Sequence, residues 1–91
     1  MSYRKVLDDI DSERERQDDK WGGDDHDDNL SQEFFIQLIK DYAGWARVML
    51  GMDNVQKYRR RMIQVAALAT AAVESLDRRV AVAQNLLTEE V

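Results

Sequence analysis

No proline occurs among these 91 residues, and glycine stands at only four positions, 22, 23, 44 and 51. Proline and glycine are the strongest local breakers of regular structure, so a chain with this little punctuation and no strand-like alternation is committed to long helices. The fold class that follows is all-α: a three-helix bundle-like protomer with a long C-terminal helix. One domain accounts for the length. A chain this short buries only a modest fraction of its surface when it folds alone, so assembly into a homo-oligomer is expected.

Apolar spacing places helix one at about residues 2–20, an acidic loop at 21–30, helix two at about 31–50 and helix three at about 54–88. Ser2 is a good N-cap for helix one, and Tyr3, Val6, Leu7 and Ile10 form its apolar stripe. From Asp11 to Lys20 every residue is polar, which a helix tolerates as a projecting arm or as the lining of a site or interface. Trp21 closes that helix, Gly22 and Gly23 supply the dihedral freedom for a turn, and Asn29 or Ser31 can cap helix two. Phe34, Phe35, Leu38, Ile39, Tyr42, Trp45, Ala46 and Met49 give helix two a core face, with Gly51 expected as its C-cap. Asp53 three residues ahead of Gln56 resembles a capping box opening helix three.

Unbroken, helix three would span about 50 Å, longer than a compact domain of this mass is wide. It is therefore expected to break near residue 79 or to project and pack on another chain. Its middle carries Ala66, Ala67, Ala69, Ala71 and Ala72, which permit close helix approach either within one subunit or at an oligomer seam.

The absence of cysteine removes disulfides and thiolate metal sites and fits a reducing compartment. The first residues lack the apolar core of a signal peptide, and the apolar run Val65 to Val73 is too short to cross a bilayer. A soluble, cytoplasmic protein with no membrane partner is expected. The formal charge of -5 opposes general DNA or RNA binding. That charge is uneven: acid dominates up to Asp28, whereas Lys57, Arg59, Arg60, Arg61, Arg78 and Arg79 make the second half locally basic.

Several groups can carry chemistry. Glu74 and Asp77 lie three apart on a helix, so both carboxylates point from one face and could share a magnesium ion. Glu74 follows an alanine-rich stretch expected to be buried, where a lone carboxylate requires a partner. His26, the only imidazole, sits among Asp24, Asp25, Asp27 and Asp28 and can orient a phosphate, ligate a metal or cap helix two. On helix one, Arg14, Arg16 and Lys20 are suited to phosphate, with Gln17 nearby, and Trp21 offers either a stacking surface for a base or a lid on the core. Tyr58 and Arg59 to Arg61 form a second basic cluster where the positive end of helix three favours an anion. Arg78 is a further cation beside Asp77. No nucleophile elbow, phosphate loop or Cys-His arrangement occurs.

The series Glu13-Arg14, Gln17-Asp18, Lys20-Trp21-Gly22, His26-Asp27-Asp28, Tyr42-Ala43, Tyr58-Arg59, Ala66-Ala67-Leu68, Ala71-Ala72, Glu74 and Asp77-Arg78 resembles a family of small proteins of tailed bacteriophages and prophages. The resemblance covers about residues 6–79 and implies an all-helical protein acting in an infected bacterial host. Glu74-Ser75-Leu76-Asp77 is also similar to the second acidic pair of MazG-like all-α nucleoside triphosphate pyrophosphohydrolases, which would make Glu74 and Asp77 magnesium ligands. The first pair of that family has no match here, since helix two offers only Glu33, Gln37 and Asp41. In size and helicity the chain is similar to phage sponges that trap nucleotide-derived immune signals. The expectation is a homo-oligomer that sequesters a nucleotide-type ligand without cleaving it, with no cofactor. Its expected binding residues are Arg14, Gln17, Lys20, Trp21, His26, Tyr58, Arg59, Glu74, Asp77 and Arg78. The alternatives are a magnesium-dependent pyrophosphohydrolase and a protein-only inhibitor of a host factor.

Overall fold

The computed structural model describes residues 2–89, with side chains described through residue 85. It consists of α1 (Tyr3–Trp21), α2 (Gly23–Asp28), α3 (Gln32–Gly51) and α4 (Val55–Glu89). α4 is the spine. α1 and α3 each lie along it and α2 bridges α1 to α4, but no Cα atom of α1 comes within 8 Å of α3. The molecule is elongated, 58 × 27 × 21 Å, because α4 runs through 35 residues without a break. The expected break near residue 79 is absent: nothing in that stretch is a helix breaker, and Arg78 and Arg79 are anchored to the end of α2 as α4 passes it.

The core is built where the small residues of α4 let α3 come close. Phe35 is fully buried and packs against Ala71 and Ala72, with Leu30 closing over them. Ala46, Ala67 and Leu68 are buried as well. Interring a side chain the size of Phe35 contributes about 1.5–3 kcal/mol. Across the same contact Gln32 donates from Nε2 to the Ala72 carbonyl at 3.0 Å.

The caps follow elementary helix chemistry with two departures from the sequence reading. Ser2 accepts from the Lys5 amide at 3.2 Å and Ser31 from the Phe34 amide at 3.1 Å, fixing the starts of α1 and α3. Gly51 remains helical and Met52 is the C-cap. The turn is made instead by Asp53 in the left-handed region, φ 56°. Asn54, rather than Asp53, caps α4, its Oδ1 accepting from the Lys57 amide at 3.1 Å.

The acidic segment expected as a loop is the short helix α2. Gly22, φ 105°, and Gly23, φ 70°, turn the chain sharply out of α1. Asp24 and Asp25 then occupy the first turn, where carboxylates favour the helix dipole. Its far end is held from outside: Ser75 and Arg79 of α4 donate to the carbonyls of Asp27 and Asp28, and Arg79 also to that of Leu30. A sequence window of six polar residues carries no sign of donors that arrive from almost fifty residues away.

Candidate functional site

The ten expected binding residues fall into four places on the molecule. At the junction of α2 and α4, Arg78 grips Asp28 through Nε at 3.1 Å and Nη2 at 2.8 Å and reaches Asp24 at 3.6 Å. Ser75, fully buried, donates to Asp28 Oδ1 at 2.9 Å. The guanidinium and the Ser75 hydroxyl hold the Asp28 carboxyl below its ordinary range, and the same pairing raises Arg78. Asp27 next to it is pushed up, mainly by burial and then by neighbouring Asp18. This is a structural clasp in which every donor already has its acceptor.

Along α1, Arg14 forms a bidentate pair with Glu74, Nη1 to Oε1 at 3.0 Å and Nη2 to Oε2. The pair raises Arg14. Glu74 was expected to be buried, yet its side chain is 44% exposed. Asp77 is exposed and joins no ion pair among the described residues. Among the described residues no three His, Asp or Glu side chains gather as a metal group. Glu74 offers its oxygens to a guanidinium.

Trp21, His26 and Lys20 meet at the α1–α2 turn. The rings of Trp21 and His26 stack with centroids 6.3 Å apart, and Lys20 Nζ lies 5.4 Å above Trp21. Both rings roof an apolar cavity of about 240 Å³ with Leu30, Phe34, Phe35, Leu38 and Leu68 beneath. Trp21 therefore stands as a lid on the core. Gln17, one helical turn before it, is buried and donates from Nε2 to Glu13 at 2.9 Å.

A larger opening lies elsewhere, between α1 and the N-terminal part of α4. It is a cleft of about 370 Å³ lined by Asp9, Ser12, Glu13, Arg16, Gln56, Arg59, Arg60 and Ile63. Two smaller hollows continue it, one through Glu13, Arg16 and Gln64 and one through Met49, Lys57, Arg61 and Gln64, and Arg60 lines all three. The result is one groove centred on Arg60. It carries five cations, Arg16, Lys57, Arg59, Arg60 and Arg61, against the two carboxylates Asp9 and Glu13.

Pairing within the groove is uneven. Glu13, its side chain only 11% exposed, accepts from Arg16 Nε at 2.9 Å and Nη2 at 2.6 Å as well as from Gln17. Arg59 donates to Asp9 at 2.7 Å, and with Lys5 it holds the Asp9 carboxyl below its ordinary value. Arg61 lies across the rings of Tyr42 and Trp45, 5.9 and 5.2 Å from their centroids, and donates to Gln64 at 3.1 Å. Lys57 and Arg60, by contrast, have no ion-pair or hydrogen-bonding partner for their side chains among the described residues. Lys57 lies in the first turn of α4, where the positive helix end adds to its field. The uncompensated charge can accept a multivalent anion. Trp45, half-exposed and tilted against Tyr42 at 4.9 Å, reaches the groove only through Arg61, which lies over its ring.

Of the expected residues, Arg59 belongs to this groove and Tyr58 neighbours it in sequence. Lys57, Gln64 and Trp45 were not singled out as ligands. The signal for the first two was present, because Lys57, Arg60, Arg61 and Gln64 recur at three- and four-residue intervals and so share one helix face. Trp45 reads from sequence as a core residue because it keeps step with Tyr42 and Met49. Compared with models of protein families, with curated proteins and with solved structures, the chain matches none.

Proposed function

We propose that the protein binds a phosphorylated, nucleotide-type small molecule in the groove along the N-terminal part of α4 and holds it without cleaving it. The observation that carries this reading is the groove around Arg60, where five cations face two carboxylates on a chain whose formal charge is -5. An acidic protein that gathers an excess of guanidinium and ammonium groups into one cleft, and leaves Lys57 and Arg60 without counter-charges, is arranged for an anion. Guanidinium groups bind phosphate oxygens in bidentate fashion, and Arg60 and Arg16 line the same hollow of the groove. Trp45, beside Arg61, is suited to stack on a base. The reading moves the binding residues from the α1–α2 turn to the groove along the N-terminal part of α4.

Sequestration is favoured over pyrophosphohydrolysis because Glu74, the leading magnesium ligand in that alternative, is engaged by Arg14 and lies outside the groove. The infected-host setting rests on the sequence resemblance alone. Calorimetric titration with a panel of nucleoside mono-, di- and triphosphates and cyclic nucleotides tests the proposal. Binding to at least one member is expected, with intact nucleotide recovered after denaturation. Arg60→Ala should weaken it on the order of tenfold or more, as loss of a charge-assisted contact worth about 1.5–3 kcal/mol implies. Absence of heat with every member, or equal affinity in R60A, would refute it.

A further inference from the structure

The face of α4 turned away from α1 and α3 is apolar, exposed and regular. Met62, Ala66, Ala69, Val73, Leu76, Val80 and Ala83 follow one another at alternating intervals of four and three residues. Of these Val73, Leu76 and Val80 are 57%, 45% and 47% exposed. A repeat of 3.5 residues sustained over three heptads is the pattern by which one long helix packs along another. In this chain α1 and α3 are already committed to other faces of α4, through Arg14 to Glu74 on one side and Gln32 to Ala72 on the other. No other helix of the chain is long enough to cover the stripe.

We infer that the stripe is the seam of a homodimer in which two α4 helices pack antiparallel. Area supports a partner of this size. A compact monomer of 10.6 kDa exposes about 5,500 Å², whereas this chain exposes 6843 Å². The excess, on the order of 1,300 Å², accompanies the elongation of the chain along α4 and leaves room for the ~800 Å² that each partner contributes to a standard stable interface.

The register follows from side-chain size. Antiparallel packing about a two-fold axis near residue 71 sets Ala69 against Val73 of the second copy, Ala66 against Leu76, and Met62 against Val80. Each small residue meets a large one, and every contact recurs with the copies exchanged, as a two-fold interface requires. Parallel packing would instead set Ala66 and Ala69 against themselves, leaving voids, and would bring the two Arg59 side chains together at one end. The seam lies opposite the groove, so a dimer would carry two groves of cations on its outer faces, each complete within one chain.

Mass measurement by light scattering on the purified full chain is the test. A species of twice 10.6 kDa is expected, falling to a monomer in the double variant L76E/V80E with helicity unchanged by circular dichroism. Because the chain has no cysteine, the register can be read separately. A66C/L76C should give a covalent dimer on oxidation, whereas A66C alone should not. A monomer for the wild type from micromolar to millimolar concentration would overturn the inference. So would a dimer whose mass L76E/V80E leaves unchanged, which would put another surface at the interface. Efficient cross-linking of A66C alone would establish a parallel seam and overturn the antiparallel one.

Discussion

Two neighbouring carboxylates, Asp27 and Asp28, share one end of α2 and are driven in opposite directions by their surroundings. Asp28 takes hydrogen bonds from Arg78 and Ser75, which lower its native pKa below the value in the unfolded chain. Its contribution to stability is present above the ordinary carboxylate range and is lost as pH falls through the lowered native value. Asp27 is desolvated and faces Asp18, so its native pKa is raised. A raised acid works the other way: stability is lost as pH rises through it, because the native state resists its ionisation. Chemical denaturation followed across a pH series should separate them. At neutral pH D28N is expected to be less stable than wild type and D27N slightly more stable, both differences shrinking in acid where the carboxyls are protonated. Equal effects of the same sign would contradict the assignment. The residue identities were visible in the sequence, but the sign of the Asp28 shift depends on Arg78 and Ser75 and that of Asp27 on burial and Asp18, and no local pattern announces them.

At the level of elements, α1, α3 and α4 were legible because their apolar positions recur at helical intervals and Ser2 and Ser31 are good N-caps, whereas the cap of α4 is Asn54 and not the expected Asp53. α2 was not, since six polar residues have no periodicity and its C-terminal carbonyls are satisfied by Ser75 and Arg79. The turn before it rests on Gly22 at φ 105°, where an added Cβ would meet only His26 Cβ at 3.7 Å. Space is therefore adequate and the conformation is the obstacle. Gly22→Ala should cost about 1–2 kcal/mol, the ordinary penalty for a left-handed non-glycine residue, read as a lower midpoint in denaturant with an unchanged slope. No loss of stability would show that the turn relaxes and that α2 is not rigidly placed. The length of α4 was legible, and its continuity past residue 79 was not, because the anchoring of Arg78 and Arg79 is tertiary.

For the whole molecule, the decisive fact is an open arrangement in which α1 and α3 flank α4 with none of their Cα atoms within 8 Å of each other. One consequence is the cation-lined groove on the near side of α4, and another is the apolar stripe on the far side. The sequence showed Tyr58 to Arg61 as a basic cluster and Glu13 to Asp28 as an acidic segment, but joined them into a single site. Folding distributes those charges instead: Asp24 and Asp28 meet Arg78, Glu74 meets Arg14, Asp9 meets Arg59, and within the groove Lys57 and Arg60 are left without a carboxylate. Which cations remain unspent is a property of packing, so no reading of spacing alone could identify them. The two tryptophans lie at different places, Trp21 roofing the apolar cavity and Trp45 under Arg61, which lines the groove. Their indole N–H signals in a nitrogen–proton correlation spectrum therefore report on the two locations separately. Addition of a nucleoside triphosphate is predicted to shift the Trp45 indole and the Lys57 to Gln64 amides while leaving the Trp21 indole in place. A spectrum unchanged by the whole nucleotide panel, or one in which only Trp21 and His26 move, would contradict the account.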